Sequence, residues 1–255
     1  MDLEDIEVSV ESVAALLLNN ELTYSTFDRN IDSDEVVVST EAEGFHYTVA
    51  PETADDYHII TDGGLKLYSA PIDGGVFHSS MFGITGNGDE SAEFTRAFVA
   101  SAGKTLIVDN VGKDLEANAL RPLANTTLEF EPGVVLRVVE GGTRGIHISE
   151  EGVTVIGNGA LVVMDGSQTS HGVAILPGAK DIVVDGVQVV GAGGTGDDCF
   201  YVGGISGDVV PQNIIISDCV GDGAGIARNV LSVTAVDGLL VDKFEAFGAA
   251  SAPGL

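Results

Sequence analysis

Tryptophan is absent, cysteine occurs twice and tyrosine five times in 255 residues, and only 11 Lys and Arg stand against 39 Asp and Glu. Each scarcity excludes something. Two cysteines, Cys199 and Cys219, are too few for a disulfide scaffold and have no His or Cys partners at zinc-finger spacing, so they read as buried thiols in neighbouring strands. A formal charge of −28 repels phosphate backbones and anionic membrane surfaces, which excludes nucleic-acid readers. No apolar run approaches the roughly 20 residues that cross a bilayer. The first residues, Met1-Asp2-Leu3-Glu4, have neither the positive nor the apolar region of a secretory signal, which predicts synthesis in the cytoplasm without export. High charge alone would suggest disorder, but 44% apolar residues and a mean hydropathy of +0.27 predict a folded chain with a sizeable core. The 34 glycines argue against a helix bundle.

Charge divides the chain. Through Ser80 there are 17 acidic and 2 basic residues, against 22 and 9 in the remainder. The acidic piece begins with a helical pattern, in which Ser12 caps residues 13–18 and Asn19-Asn20 stops them. Strand-like stretches follow at 35–40, 45–50, 58–60 and 65–68, parted by acidic or Gly-rich turns. Residues 1–80 are thus expected to form a small β-rich module. Beyond them, residues 86–103 supply loop glycines, Asp89 or Ser91 as N-cap, Phe94, Ala97 and Phe98 on one helical face, and Gly103 as a stop. A helix is expected over 91–102.

After Lys104 no further helix is needed. Short apolar runs recur, and comparable strands begin at Leu128, Val153, Ile182, Ile214 and Leu239, at intervals of 25, 29, 32 and 25 residues. Such a period marks a solenoid, here three short strands per turn with loops of variable length. Runs rich in Val and Ile, with Gly, Asn and Asp at the corners, suit parallel strands about 4.8 Å apart around a narrow core. A β-sandwich would show longer alternating strands and tight hairpin dipeptides, which are sparse. The helix at 91–102 would cover the open end of the coil, where strand edges invite aggregation. The pattern continues to Phe247 without a second capping helix, which predicts further residues or symmetry partners over that end.

Residues 81–98 resemble the opening motif of the pectate-lyase-like right-handed β-helix superfamily. The resemblance lies in Phe82-Gly83, in Gly86-Asn87-Gly88-Asp89 where that family has Gly-Asp-Gly, and in the acidic, Ser-containing cap before the helix. Upstream, residues 45–50 and 56–68, with the helical pattern at Val13, resemble the lead-in of bacteriophage tailspike and tail-fibre proteins built on such coils. The resemblance implies an all-β fold, with a right-handed single-stranded parallel β-helix over 81–255 and one capping helix, preceded by a virion-docking module at 1–80. It also implies a homotrimer in the virion tail, phage tail or adaptor proteins bound through residues 1–80, and a host surface glycan as ligand. Lyases, hydrolases and inert adhesins share this fold, so function must come from the site. A structural and adhesive tail component is one reading, a polysaccharide depolymerase a second and a secreted bacterial adhesin a third.

Gly196-Asp197-Asp198-Cys199 is similar to the Gly-Asp-Asp-Cys of polygalacturonases, whose inverting hydrolysis needs an acid at the leaving oxygen and a base on the attacking water. The resemblance gives Asp197 and Asp198 those roles. Asp222, about one coil past Asp197, would add a third carboxylate in the same surface line. The rest of that pattern is missing: no Asn-Thr-Asp lies upstream, Gly221-Asp222-Gly223 stands where Gly-His-Gly is expected, and only Arg228 remains of the basic pair. An acidic turn joining two coils is the alternative. Residues 193–201 also match one copy of a calcium-binding nonapeptide, but that motif works in tandem, so calcium would be adventitious and no cofactor is expected. The histidines are scattered, with His147 and His171 in or beside coil strands, and read as structural. With no Trp, and only Tyr201 of the five tyrosines in the coil, an aromatic sugar platform is not evident.

Overall fold

Apolar residues at every second position give the N-terminal strands one face to bury. The structure, a computed structural model, describes residues 6–25, 36–139, 141–164, 171–191, 198–204, 209–224 and 229–248. β1 (Ile6–Val10) runs parallel to β2 (Val36–Thr40), and β3 (His46–Val49), β4 (Ile59–Ile60) and β5 (Lys66–Ser69) join antiparallel in the order β1-β2-β3-β5-β4. Val36, Val38, Tyr47 and Leu67 face inward with Leu16 of α1 (Val13–Leu17). Ser12 caps this helix by accepting the Ala15 N–H at 3.2 Å. Asn19 Oδ1 ends it by accepting the N–H groups of Glu21 and Leu22.

The coil begins with β6 (Val76–His78), a 3₁₀ turn at Ser79–Phe82, α2 (Ser91–Ala100), β7 (Thr105–Val108) and β8 (Leu115–Ala117). Chain order then repeats in threes. One turn holds β9 (Thr127–Phe130), β10 (Val135–Val138) and β11 (Arg144–Ile148), and the next β12 (Thr154–Ile156), β13 (Leu161–Val163) and β14 (His171–Ile175). β15 (Lys180–Asp185), β16 (Gln188–Val190) and β17 (Asp198–Val202) follow, then β18 (Gln212–Ser217), β19 (Val220–Asp222) and β20 (Asn229–Val233), and last β21 (Asp237–Asp242) and β22 (Glu245–Phe247). Like strands stack in parallel as three sheets: β6-β7-β9-β12-β15-β18-β21, β8-β10-β13-β16-β19-β22 and β11-β14-β17-β20. This is an all-β parallel β-helix.

Its interior is stacked by residue. In the first sheet Phe77, Leu106, Leu128, Val155, Val184 and Ile216 lie in one register row, each at most 2% exposed. In the third, Ile146, Val173 and Phe200 do the same. The corners are equally ordered. Asn125, Gly152, Asp181, Asn213 and Gly238, all at positive φ, hold one corner through five turns. Gly, Asn and Asp tolerate the left-handed region that a Cβ otherwise disfavours, and Asn213 donates to Asp181 one turn back at 2.8 Å.

Ile182, Ile214 and Leu239 share a register row, as their period requires. Leu128 instead pairs with Val155, two positions along. The expected helix starts at Ser91 and ends a little early, at Ala100. Its N-cap is Glu90, between the two expected caps: Asp89 accepts from Ser91 N–H at 3.0 Å, while the Glu90 carboxylate turns back to accept from Thr85 and Gly86. Phe94, Ala97 and Phe98 are buried as the pattern requires. One continuous apolar core extends from Val13 to Val230, so the N-terminal sheet and the coil share an interior. Among the described residues no helix is long and apolar enough to cross a membrane.

Candidate functional site

The third sheet presents a polar row. Arg144, His171, Asp198 and Asn229 are in direct register, one from each of four successive turns. A glycine follows each of the first two, and it is needed. A Cβ on Gly172 would lie 2.2 Å from Val189 Cγ1 and 2.8 Å from the Cys199 carbonyl oxygen, so only bare backbone fits against the second sheet where the chain delivers His171. A second row, His147, Ala174, Tyr201 and Ser232, lies beside the first.

Asp198 is fully buried, and its carboxylate organises the row. Oδ1 accepts from Asn229 Nδ2 at 2.9 Å, and Oδ2 faces His171 Nδ1 at 3.7 Å. Asn229 Nδ2 also donates to Ser232 Oγ at 2.8 Å. The His171 ring stacks on Tyr201 with centroids 4.5 Å apart and planes 9° from parallel, and the Tyr201 hydroxyl lies 3.1 Å from Thr234 Oγ1. At 3.7 Å the carboxylate lies beyond hydrogen-bond distance of Nδ1, so it sets a negative charge beside the partly exposed imidazole while the Tyr201 stack orients the ring.

Toward the start of the coil the row becomes basic. His147 is held between two arginines: Arg144 NH1 lies 3.4 Å from Nδ1 and Arg121 NH1 3.5 Å from Nε2. Burial, and then the two positive charges, hold the imidazole down to about 4, so it is neutral at pH 7. Arg121 is exposed and also borders an apolar hollow of about 160 Å³ beside α2, lined by Phe94, Phe98, Val99 and Leu123 among others.

The acidic candidates are distributed differently from the expected single line. Asp197 lies outside the described residues, as do Arg228 and residues 193–196 of the calcium-like motif. Asp198 is in the third sheet, whereas Asp222 is in the second, in register with Val190 and Phe247, its Oδ1 accepting the Ala224 N–H at 2.8 Å. The reason is the length of a turn: the position that stacks on Asp198 is Asn229, so at Asp222 the chain has not yet completed the circuit and is still one strand short. Both carboxylates nonetheless lie near Cys199, where burial and then their charges push the thiol up to about 12. Cys219 is likewise buried, at the corner between β18 and β19. Among the described residues no three His, Cys, Asp or Glu are grouped to hold a metal ion. The arginine and histidine row was missed from sequence, although its signal, a polar residue recurring one turn apart just ahead of Gly145 and Gly172, was present.

No protein-family model matches the chain, and no curated protein matches its sequence. Solved structures do match. A candidate glycosyl hydrolase from Parabacteroides merdae ATCC 43184 aligns over 67% of this chain and 85% of its own, at 14% identity and a TM-score of 0.54. Tailspike protein gp49 from Acinetobacter baumannii bacteriophage Fri1, a capsular polysaccharide depolymerase, aligns over 97% of this chain at 13% identity and a TM-score of 0.65. This chain spans half the length of that tailspike. At such identities the shared property is the fold.

Proposed function

We propose that this chain is part of a phage tail, a tailspike or tail fibre in which residues 1–80 attach to the virion and the coil engages a host surface polysaccharide. One observation supports the reading most: the alignment to a tailspike takes in 97% of the chain, so the N-terminal sheet and the coil superpose together on one protein. Three copies are expected to assemble, and the tail or adaptor partner is expected to offer basic residues to the acidic module. Velocity sedimentation should give a trimer, and an array of purified bacterial capsular polysaccharides should retain the chain at some of its spots. A monomer that no polysaccharide retains overturns the reading.

Cleavage of that polysaccharide is a second reading, favoured by the buried Asp198 behind His171. Asp198 would place its charge beside His171, and the flanking Asp197 and the more distant Asp222 remain the candidate acids for a hydrolase. Asp198→Asn should abolish release of reducing ends from a retained polysaccharide while the far-UV circular dichroism is unchanged. Undiminished release would remove Asp198 from the chemistry.

A further inference from the structure

We propose that Arg121 and Arg144, set on either side of His147, bind the carboxylate of an acidic sugar in the glycan that this coil engages. The inference rests on the reading of the coil as a glycan-engaging surface and adds the class of sugar.

The argument starts from charge. In a chain of net charge −28, positive groups are expected to find carboxylates. Arg96 meets Glu93 at 2.8 Å, Arg137 meets Asp114 at 2.6 Å and Lys243 meets Asp218 at 3.3 Å. Lys66 and Lys113 donate to carbonyl oxygens and Lys104 lies over the Phe77 ring, whereas Arg121 and Arg144, with no carboxylate partner among the described residues, approach the two nitrogens of one imidazole. A neutral imidazole has a single lone-pair nitrogen, so it accepts from only one of the two guanidinium groups that approach it. Arg144 Nε is also buried, with no acceptor among the described residues. The site therefore holds donors without acceptors, the inverse of the surface around it, and keeps two like charges close together at an energetic cost.

A carboxylate relieves the like charge and supplies acceptors to the guanidinium N–H groups that solvent reaches, while the buried Arg144 Nε stays beyond it. It carries two oxygens with about four lone-pair directions, it matches the guanidinium fork, and its charge separates the two cations. The apolar hollow that Arg121 borders, with Phe94, Phe98 and Val99, offers an adjoining surface for the C–H face of a sugar ring. In this way a strongly acidic protein takes up an acidic polymer: the repulsion is general, and the attraction is confined to one place on the coil.

The test is an NMR titration of the intact chain, read at the His147 ring, with glucuronate, galacturonate and N-acetylneuraminate, each beside an uncharged counterpart, and with inorganic phosphate. At least one acidic sugar should shift the His147 resonance saturably and raise its pKa from about 4, because a bound anion favours the imidazolium. Its neutral counterpart should not. Arg121→Gln and Arg144→Gln should each weaken that binding at least tenfold without lowering the melting temperature of the whole chain. Three acidic sugars that leave His147 unmoved overturn the proposal, and phosphate binding as tightly as the best sugar overturns its assignment to a sugar. Retention on the polysaccharide array that survives both substitutions overturns this site and leaves the tail reading intact. A wild-type chain that is monomeric and that no polysaccharide on the array retains, with the His147 shift preserved, does the reverse.

Discussion

Nδ1 of His78 lies 2.5 Å from Oδ1 of Asp109, and Oδ2 of the same carboxylate accepts the Ser80 N–H at 2.8 Å and the Ser80 hydroxyl at 2.6 Å. Asp109 follows β7, so one side chain binds the 3₁₀ turn to the rung after it. This is where the N-terminal sheet meets the coil, since Phe45 packs on His78 and His58 on Phe82.

The pair makes stability depend on pH. The Asp109 hydrogen bond raises the His78 pKa above 6.5, so its contribution is complete below 6.5 and fades as pH rises through the raised value. The Asp109 pKa is lowered below 3.8: although burial raises it, the bonds to His78 and Ser80 outweigh that, and its contribution is complete above 3.8 and lost as pH falls through the lowered value. The full clamp therefore operates between about pH 4 and 6.5. Urea unfolding should find His78→Ala less stable than wild type by about 1–3 kcal/mol at pH 5.5, with a smaller deficit at pH 9. An equal deficit at both values would contradict the ion pair.

Glu90 is buried, and Oε1 takes the N–H groups of Thr85 and Gly86 at 2.6 and 2.7 Å, while Oε2 has no partner among the described residues. Burial raises its pKa against those bonds, so its charge is a cost that grows as pH rises from the ordinary value to the raised one and is complete above it. Glu90→Gln keeps an acceptor and removes the charge. Its melting temperature should equal or exceed that of wild type at pH 8, whereas Glu90→Ala, which orphans the loop donors, should lose about 1–3 kcal/mol.

Gly172→Ala places a methyl group against Val189 and the Cys199 carbonyl, and the coil has to open at that rung. A loss of about 1–3 kcal/mol is expected by thermal unfolding. Adding Val189→Ala should not restore wild-type stability, because the carbonyl contact remains and a cavity is added.

Added salt should stabilise the chain. At 1 M NaCl the screening length falls to about 3 Å, which removes most repulsion among surface carboxylates. Melting temperature should rise as NaCl is added from roughly 0.05 to 1 M. A flat profile would show that the net charge of −28 costs the folded state little.

The repeat was legible because hydrophobic burial imposes it: Ile182, Ile214 and Leu239 must stack, and sequence spacing records that. Very short strands such as Val220–Asp222 and Glu245–Phe247 were not legible, since so short a run shows no alternation and only the neighbouring rung makes it a strand. β1 was missed for a related reason, its partner β2 lying beyond the helix and a long connection. In the site, Asp198 was singled out by its motif and the structure gives it an organising position. The row of Arg144 and His171 left only a faint trace, a polar residue ahead of Gly145 and of Gly172, and its meaning emerges only when successive turns superpose and make the two neighbours.

Hydrogen bonds between successive turns lie along the coil axis, in three ladders. Tension along that axis is shared by all the bonds of a rung, which must give way together, whereas a sideways pull on one strand breaks them in sequence. An axial load is therefore borne by the bonds of a rung in parallel, and a peeling load in series.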